Sequence, residues 1–138
     1  MANVIKLEVV TPDRLVLSED VEIVVAPGAE GEFGVLFQHI PFLSILQEGE
    51  LRYRKGSELH YMAVSGGFAE VLPHKVTVLA EAAEQAREID VERAKRARER
   101  AEKRLLEAKR AEMEHAVAEA ALRRAMIRLR VAQKAGRM

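Results

Sequence analysis

Cysteine is absent from this 138-residue sequence, which excludes a disulfide framework and every site built on thiolate ligands. Aromatic residues make up only 4%, which argues against the stacking platforms that bind single-stranded nucleic acid. No apolar run approaches the roughly 20 residues that a membrane-spanning helix needs. The N-terminus also lacks the basic and apolar regions of a secretory signal, so we expect a cytoplasmic location.

The sequence offers no catalytic constellation either. Its four histidines are dispersed and lack the spacing of a metal site. Ser65 is not preceded by the glycine of a nucleophile elbow. The glycine-rich residues 28–34 match neither a P-loop nor a dinucleotide-binding turn, and we expect a tight acidic loop between strands there. We therefore expect a protein that is not an enzyme and requires neither a metal nor an organic cofactor.

The net charge of zero is a cancellation between two unlike halves of the chain. Residues 1–85 carry six basic and thirteen acidic side chains, whereas residues 86–138 carry sixteen basic and nine acidic ones. Such asymmetry indicates two regions with different partners, and it also lets the two regions attract one another.

The first half reads as a series of short strands. Ile5, Leu7 and Val9 alternate with polar residues, and similar alternation marks residues 15–17 and 21–25. Turn-forming residues separate further strand candidates at residues 42–46, 50–54, 59–64, 68–72 and 76–80. Many short strands with turns between them predict a β-sandwich or barrel, which we assign to residues 1–84.

The second half, residues 85–138, reads as helix. Residues 81–134 contain neither glycine nor proline, Asp90 is a good N-cap, and Gly136 ends the pattern. A continuous helix over residues 90–133 would be about 66 Å long. The alternative is a hairpin that turns near residues 111–115, and the sequence leaves rod and hairpin close in free energy because that turn is poorly marked.

The apolar stripes of this half are rich in alanine. They comprise Val91, Ala94, Ala101, Leu105 and Ala108, and then Ala118, Leu122, Ala125, Leu129 and Ala132. Burying an alanine gives far less than the roughly 1.5–3 kcal/mol of a leucine, so this seam predicts helices that can separate. An ordinary static hairpin fits the pattern equally well.

Several arginines share helix faces in a way that suggests an anion site. Arg93, Arg96 and Arg100 lie on one face of the first half, and Arg124 and Arg128 lie four apart on the second. A hairpin folded near Glu112 would set Arg100 opposite Arg124 and Arg96 opposite Arg128. Guanidinium groups suit phosphate, so the folded hairpin has the makings of a polyphosphate site, although a solvated basic face is the simpler reading.

The chain resembles the epsilon subunits of bacterial F-type ATP synthases over nearly its whole length. Residues 89–94 (IDVERA) resemble the I-D-x-x-R-A motif of that family. Residues 31–43 (GEFGVLFQHIPFL) resemble its G-x-x-G-x-L-x-x-H-x-P-(L/F)-L segment, and residues 64–71 (VSGGFAEV) resemble its G-G-F-x-E-V segment. Residues 10–12 and 76–80 agree as well, so several motifs occur in the family's order.

The resemblance implies an α+β chain in which an all-β sandwich precedes an all-α, two-helix C-terminal hairpin. It implies a non-catalytic rotor subunit that joins the gamma subunit to the c-ring, peripheral on the cytoplasmic side of the bacterial membrane. Extended helices would reach the catalytic alpha and beta subunits and inhibit ATP hydrolysis, whereas ATP would bind the folded hairpin as a regulatory ligand. The implied ATP ligands are Glu84, Ile89, Asp90, Arg93, Ala94, Arg100, Arg124 and Arg128. We expect the partner interface at His39, Ile40, Pro41, Phe42 and Leu43.

Two other classes of protein compete with this interpretation. A basic helical nucleic-acid-binding module would use the positive second half, but the interleaved acids and scarce aromatics count against it. A coiled-coil assembly factor would need larger residues in its seam than alanine.

Overall fold

A computed structural model describes residues 3–107 and 112–138, and in them ten strands precede a short 3-10 helix and two long helices. The strands are β1 (Ile5–Val10), β2 (Leu15–Val21), β3 (Ile23–Gly28), β4 (Gly31–Leu36), β5 (Phe42–Ile45), β6 (Gly49–Lys55), β7 (Glu58–Ser65), β8 (Phe68–Leu72), β9 (Lys75–Leu79) and β10 (Ala82–Gln85). The helices are the 3-10 helix Ala86–Glu88, α1 (Val91–Glu107) and α2 (Glu112–Lys134). The expected α+β architecture, a β-sandwich followed by two helices, is confirmed.

The strands form two five-stranded sheets. The first has the order β2-β1-β9-β8-β5, and the second has the order β10-β7-β6-β3-β4. All neighbouring strands are antiparallel except β1 and β9, which run parallel. Ile5, Leu7 and Val9 are completely buried between the sheets, as their alternation predicts.

The alternation expected across residues 21–25 is wrong in phase. Val21 and Val24 are completely buried, whereas Ile23 and Val25 are only half-buried. The reason is that β2 belongs to the first sheet and β3 to the second, so the chain changes sheets at Glu22. The alternation of buried and exposed side chains is interrupted where the chain passes from one sheet to the other.

The loop expected at residues 28–34 is also wrong, because these residues form a tight hairpin. β3 continues to Gly28, β4 begins at Gly31, and only Ala29 and Glu30 connect them. A side chain at position 28 would place its Cβ 2.6 Å from the carbonyl oxygen of Gly31, so the close approach of the two strands requires glycine there.

The helices begin and end where their capping residues predict. The backbone N–H of Arg93 donates to Oδ1 of Asp90 over 3.0 Å, which caps the N-terminus of α1. Gly136 has a φ of 76° beyond the end of α2, and the N–H of Arg137 donates to the carbonyl of Ala132 over 2.9 Å. This is a Schellman motif, which satisfies the last carbonyls of the helix.

The helices form a hairpin that lies against the sandwich. α1 packs along α2, and α2 packs on β6, β7 and the 3-10 helix. Of the turn predicted at residues 111–115, residue 111 lies outside the described part of the chain and the rest belongs to α2. The alanine seam is confirmed by the burial of Ala94, Ala101, Ala118 and Ala125, whereas Ala132 is buried against the sandwich instead, and Ala108 lies outside the described residues.

A second hydrophobic cluster fixes the hairpin to the sandwich, which the sequence did not predict. Its buried members are Ala63, Ala86, Ile89, Ile127, Val131 and Ala132. Full burial stabilises an isoleucine or valine by roughly 1.5–3 kcal/mol, so the cluster outweighs any single contact of the alanine seam. The sandwich face of α2 is therefore a second attachment of the hairpin, in addition to the contact between the two helices.

Candidate functional site

A cavity of about 490 Å³ lies where the sandwich meets the hairpin. Five elements surround it: the turn between β1 and β2, strand β10, the 3-10 helix, α1 and α2. Its lining residues are Thr11, Asp13, Arg14, Glu81, Ala82, Ala83, Glu84, Glu88, Asp90, Arg93, Ala94, Ala97, Arg100 and Arg128. The volume is within the range of pockets that bind small molecules.

The first turns of α1 give the cavity one of its walls. Arg93 and Arg100 are exposed there, seven residues apart, so they project from one side of the helix. Between them Ala94 is buried and Ala97 is half-buried. The small alanine side chains leave room for a ligand beside the helix, and the two guanidiniums border that space.

Helix α2 contributes arginines that are paired with carboxylates of the sandwich. Nε of Arg128 donates to Glu84 of β10, which lies in the wall of the same cavity. Nη1 of Arg124 lies 3.5 Å from Oε1 of Glu48. The other oxygen of Glu48 is buried and, within the described residues, has no hydrogen-bond partner. These carboxylates offset charge that would otherwise make the arginines repel one another.

The turn between β1 and β2 supplies a fourth guanidinium to the cavity. Nη2 of Arg14 donates to Oε2 of Glu88 over 2.6 Å, and the N–H of Gln85 donates to the other oxygen of Glu88 over 3.0 Å. Partial burial, the largest influence, works to raise the pKa of Glu88. The two hydrogen bonds, together with the positive charges of Arg14 and Arg87, outweigh it and hold the pKa of Glu88 below its usual range.

The structure brings together six of the eight expected ATP ligands. Glu84, Asp90, Arg93, Ala94, Arg100 and Arg128 line the cavity. Arg124 lies beside a smaller cavity that it shares with Glu84 and Arg128. Ile89 is 1% exposed, and its side chain belongs to the second hydrophobic cluster rather than to a lining surface.

The register of the two helices differs from the expected one. Arg100 shares its cavity with Arg128 rather than with Arg124, and Arg96 is not among the lining residues. The expectation placed the centre of the turn at Glu112, but α2 already begins at that residue. Arg128 lies sixteen residues after this start, and Val91 lies sixteen residues before the end of α1. Arg128 is therefore close to the beginning of α1, and the cavity extends from there along α1 to Arg100.

Sequence reasoning missed the contributions of the sandwich to this region. Arg14 is one of only six basic residues in the acidic half, which is a signal that could have identified it. Glu50 was missed as well: it is 6% exposed and accepts hydrogen bonds from Nζ of Lys134 over 2.7 and 3.1 Å. The charge asymmetry predicted attraction between the two halves but not which residues would meet.

The lining of the cavity carries charges of both signs, with five carboxylates (Asp13, Glu81, Glu84, Glu88 and Asp90) beside its arginines. Four guanidiniums from three separate elements border it, and each can donate two parallel hydrogen bonds to phosphate oxygens. Glu84 and Glu88 accept from Arg128 and Arg14, so an anion that bound these two arginines would have to replace those carboxylates as their partner. Within residues 3–107 and 112–138, no three acidic or histidine side chains form a group that could hold a metal ion.

A second feature is an apolar face on the outside of the first sheet. The exposed side chains Leu43, Ile45, Phe68, Leu72 and Leu79 form this face, on the neighbouring strands β5, β8 and β9, and they surround the exposed Glu70, which lies opposite Leu43. Ile45 lies opposite Phe68, and Phe68 lies opposite Leu79, so these three side chains are adjacent. Exposed apolar patches of this kind mark interaction surfaces.

The expected interface segment continues from this face. Ile40 and Leu43 are 74% and 72% exposed, and Pro41 and Phe42 are also exposed. His39 is half-buried, and its Nδ1 donates to the carbonyl of Ile40 over 2.7 Å. The ring of Phe42 packs edge-on against Phe33, with the ring centroids 5.2 Å apart. The segment is thus a firmly supported apolar projection at the end of the first sheet.

Comparison with sequence families matches both parts of the chain. The family described as "ATP synthase, Delta/Epsilon chain, beta-sandwich domain" matches residues 4–86. The family described as "ATP synthase, Delta/Epsilon chain, long alpha-helix domain" matches residues 87–133. In the described part of the chain, no helix is both long enough and apolar enough to cross a membrane.

Curated proteins and solved structures agree with the family matches. The ATP synthase epsilon chain of Syntrophobacter fumaroxidans is 65% identical over 134 residues, which cover 97% of this chain and 99% of the relative. That of Nitratidesulfovibrio vulgaris strain DP4 is 57% identical over 131 residues, covering 95% and 97%. A chain in the Euglena gracilis mitochondrial ATP synthase, a cryo-EM structure of OSCP, F1 and c-ring, is similar with a TM-score of 0.79. It is 27% identical, and the match covers 97% of this chain and 81% of that one.

Proposed function

The chain belongs to the ATP synthase epsilon family, and from that premise we propose that it links the gamma subunit to the c-ring and regulates the enzyme through its helices. The family resemblance predicted from the motifs is confirmed by the two family matches and by the high identity to bacterial epsilon chains. The proposal includes a peripheral position on the cytoplasmic side of the bacterial membrane and a role without catalysis. It is supported by a Euglena neighbour that was solved in an assembly with F1 and the c-ring.

In this proposal the sandwich is the clamp, the part of the chain that binds the gamma subunit and the c-ring. The apolar face of the first sheet and the segment from His39 to Leu43 form a continuous exposed surface on a rigid scaffold. Burial of such a surface against a rotor partner would stabilise the assembly by about 25 cal/mol for each Å² of apolar area.

A charge in the middle of this surface tests the clamp. We expect Leu43→Asp to prevent or strongly weaken copurification of the chain with the gamma subunit, because a carboxylate would have to be desolvated at the interface. The control is Leu59→Asp, since Leu59 is similarly apolar and exposed but lies on the second sheet. Equal copurification of the two variants would contradict the clamp.

The helices are the switch of this proposal, and ATP is the ligand that keeps them withdrawn. The observation that carries it is the shared cavity, where guanidiniums of α1 meet a guanidinium of α2 only while the hairpin is closed. A ligand shifts an equilibrium only through its different affinity for the two states. A polyphosphate bound between Arg93, Arg100 and Arg128 would favour the closed state, and scarce ATP would release the helices toward the catalytic subunits as a brake.

ATP titration of the isolated protein tests the switch site. We expect binding of ATP, weakened about tenfold or more by Arg128→Ala and by Arg93→Ala, since a hydrogen bond to a charged group contributes about 1.5–3 kcal/mol. Arg124→Ala should also weaken binding, through the smaller neighbouring cavity. The control is Arg130→Ala, because Arg130 is exposed on α2 and does not line the cavity. Absence of binding at millimolar ATP, or equal affinities for all variants, would contradict the ATP site.

The environment of α2 favours this function over a nucleic-acid-binding module. Arg124, Arg128 and Lys134 each form an ion pair with a carboxylate of the sandwich. A nucleic acid would have to displace these internal partners before it could use the same charges.

A further inference from the structure

Arg14 is a cation of the cavity that belongs to neither helix. It lies in the turn between β1 and β2, and its carbonyl oxygen accepts a hydrogen bond from the N–H of Thr11 over 3.0 Å. Pro12 restricts the same turn, so the backbone that carries Arg14 is fixed relative to the sandwich. About half of the Arg14 side chain is exposed, which leaves it free to change partners.

The partner of Arg14 in the closed hairpin is a carboxylate at the edge of the cavity. Glu88 ends the 3-10 helix, directly before the motif that begins α1, and it also accepts from the N–H of Gln85. Since Gln85 still satisfies one oxygen of Glu88, Arg14 could turn from Glu88 toward an anion without leaving that carboxylate unpaired. Arg14 can therefore exchange its ion pair with Glu88 for a contact with a bound anion.

We propose that Arg14 is a further ligand of the nucleotide, donating to its polyphosphate from the sandwich side of the cavity. This inference rests on the proposed ATP site and adds a residue outside both helices to it. The ligand would then connect three parts of the molecule: the turn through Arg14, α1 through Arg93 and Arg100, and α2 through Arg128. ATP would thereby fasten the hairpin to the sandwich as well as one helix to the other.

The alternative is that Arg14 only supports the 3-10 helix through Glu88. The two roles predict opposite effects for a change at Glu88. If Arg14 contacts phosphate, Glu88→Gln removes a competitor for its guanidinium, and ATP affinity should stay equal or increase. If Arg14 only positions Glu88, then Arg14→Ala and Glu88→Gln should weaken ATP binding alike.

The test is calorimetric titration of the full-length chain and its variants with ATP and with AMP. We expect Arg14→Ala to weaken ATP binding about tenfold or more, with partial recovery in Arg14→Lys, because a charge-assisted hydrogen bond is lost. Its effect on AMP should be clearly smaller, because AMP lacks the outer phosphates. The control is Arg54→Ala, since Arg54 is also an exposed sandwich arginine in an ion pair, with Glu22 at 3.2 Å, but does not line the cavity.

The outcomes separate this inference from the function on which it rests. If ATP binds the unaltered chain and Arg93→Ala weakens it but Arg14→Ala does not, the inference is overturned and the ATP site stands. Parallel weakening by Arg14→Ala and Glu88→Gln also overturns it, in favour of the supporting role. If the unaltered chain does not bind ATP, the site and the inference fail together.

Discussion

At the scale of single residues, Gly67 occupies a position whose backbone geometry requires glycine. It precedes β8 with a φ of 96°, and a Cβ there would lie 1.8 Å from the carbonyl oxygen of Leu79. The backbones of β8 and β9 approach each other closely at this point, which only glycine permits. The family resemblance includes this glycine, and the structure supplies its physical reason.

We expect Gly67→Ala to lower the free energy of unfolding by about 2–4 kcal/mol, through strain and overpacking together. Gly56→Ala is the control, because Gly56 also has a positive φ, of 64°, but has open space around its Cβ position. Gly56→Ala should lower the free energy of unfolding by only about 1 kcal/mol. Thermal unfolding of both variants measures the difference, and similar melting temperatures would refute the close-approach explanation.

Residue-level signals in the sequence were reliable where the interaction is local. Asp90 caps α1 and Gly136 ends α2 because both features depend on the neighbouring few residues. Composition singles out Arg14 as a rare cation of the acidic half, but the partners of Arg14 and Glu50 could not be assigned in this way, since they are 74 and 84 positions away. Such pairs become visible only when the fold brings distant segments together.

At the scale of elements, helix α2 has two contact faces that are built from different side chains. One face meets α1 through small alanines, and the other inserts Ile127 and Val131 into the second cluster on the sandwich. Its last turn adds Lys134, whose Nζ also lies 5.9 Å from the ring centroid of Tyr61. Extension of α2 would therefore require it to leave both α1 and the sandwich.

We expect Lys134→Ala to weaken the docking of α2 by about 2 kcal/mol, because it leaves the carboxylate of Glu50 buried without its cation. Hydrogen exchange of the α2 amides should then become more than tenfold faster. Lys103→Ala, at an exposed position of α1, is the control and should leave exchange unchanged. Unchanged exchange in Lys134→Ala would show that the pair does not hold the helix, and Glu50→Met combined with Lys134→Met should restore much of the loss.

Secondary structure could be predicted where the residue pattern of a segment alone identifies it as strand or helix. The alternation in β1 and the long alanine-rich tract identify a strand and helices without further information. Ala82–Gln85 consists of good helix formers, yet it is a strand because pairing with β7 overrides propensity. The sandwich-facing side of α2 was missed since Ile127 and Val131 alternate with arginines that looked solvated.

At the scale of the whole molecule, charge complementarity joins the two halves. The acidic half supplies Glu48, Glu50 and Glu84, and the basic half supplies their partners on α2. The hairpin is thus docked by a hydrophobic cluster and a row of ion pairs, and its two helices meet through a seam rich in alanine. Under the proposed function, the hairpin would have a closed and an extended state, and a small anion in the shared cavity would favour the closed one.

The absence of cysteine from this chain permits a direct measurement of this equilibrium, because two introduced cysteines would be the only ones in it and can be spin-labelled before the chain is assembled with its partners. Suitable positions are Glu92→Cys on α1 and Arg130→Cys on α2, both exposed. Packed helices have axes about 8–10 Å apart, whereas a continuous helix would separate these positions by about 57 Å. Pulsed electron–electron distance measurement on the assembled ATP synthase should give the short distance with ATP and a growing population of much longer distances without it. The same short distance in both conditions would contradict a nucleotide-controlled switch.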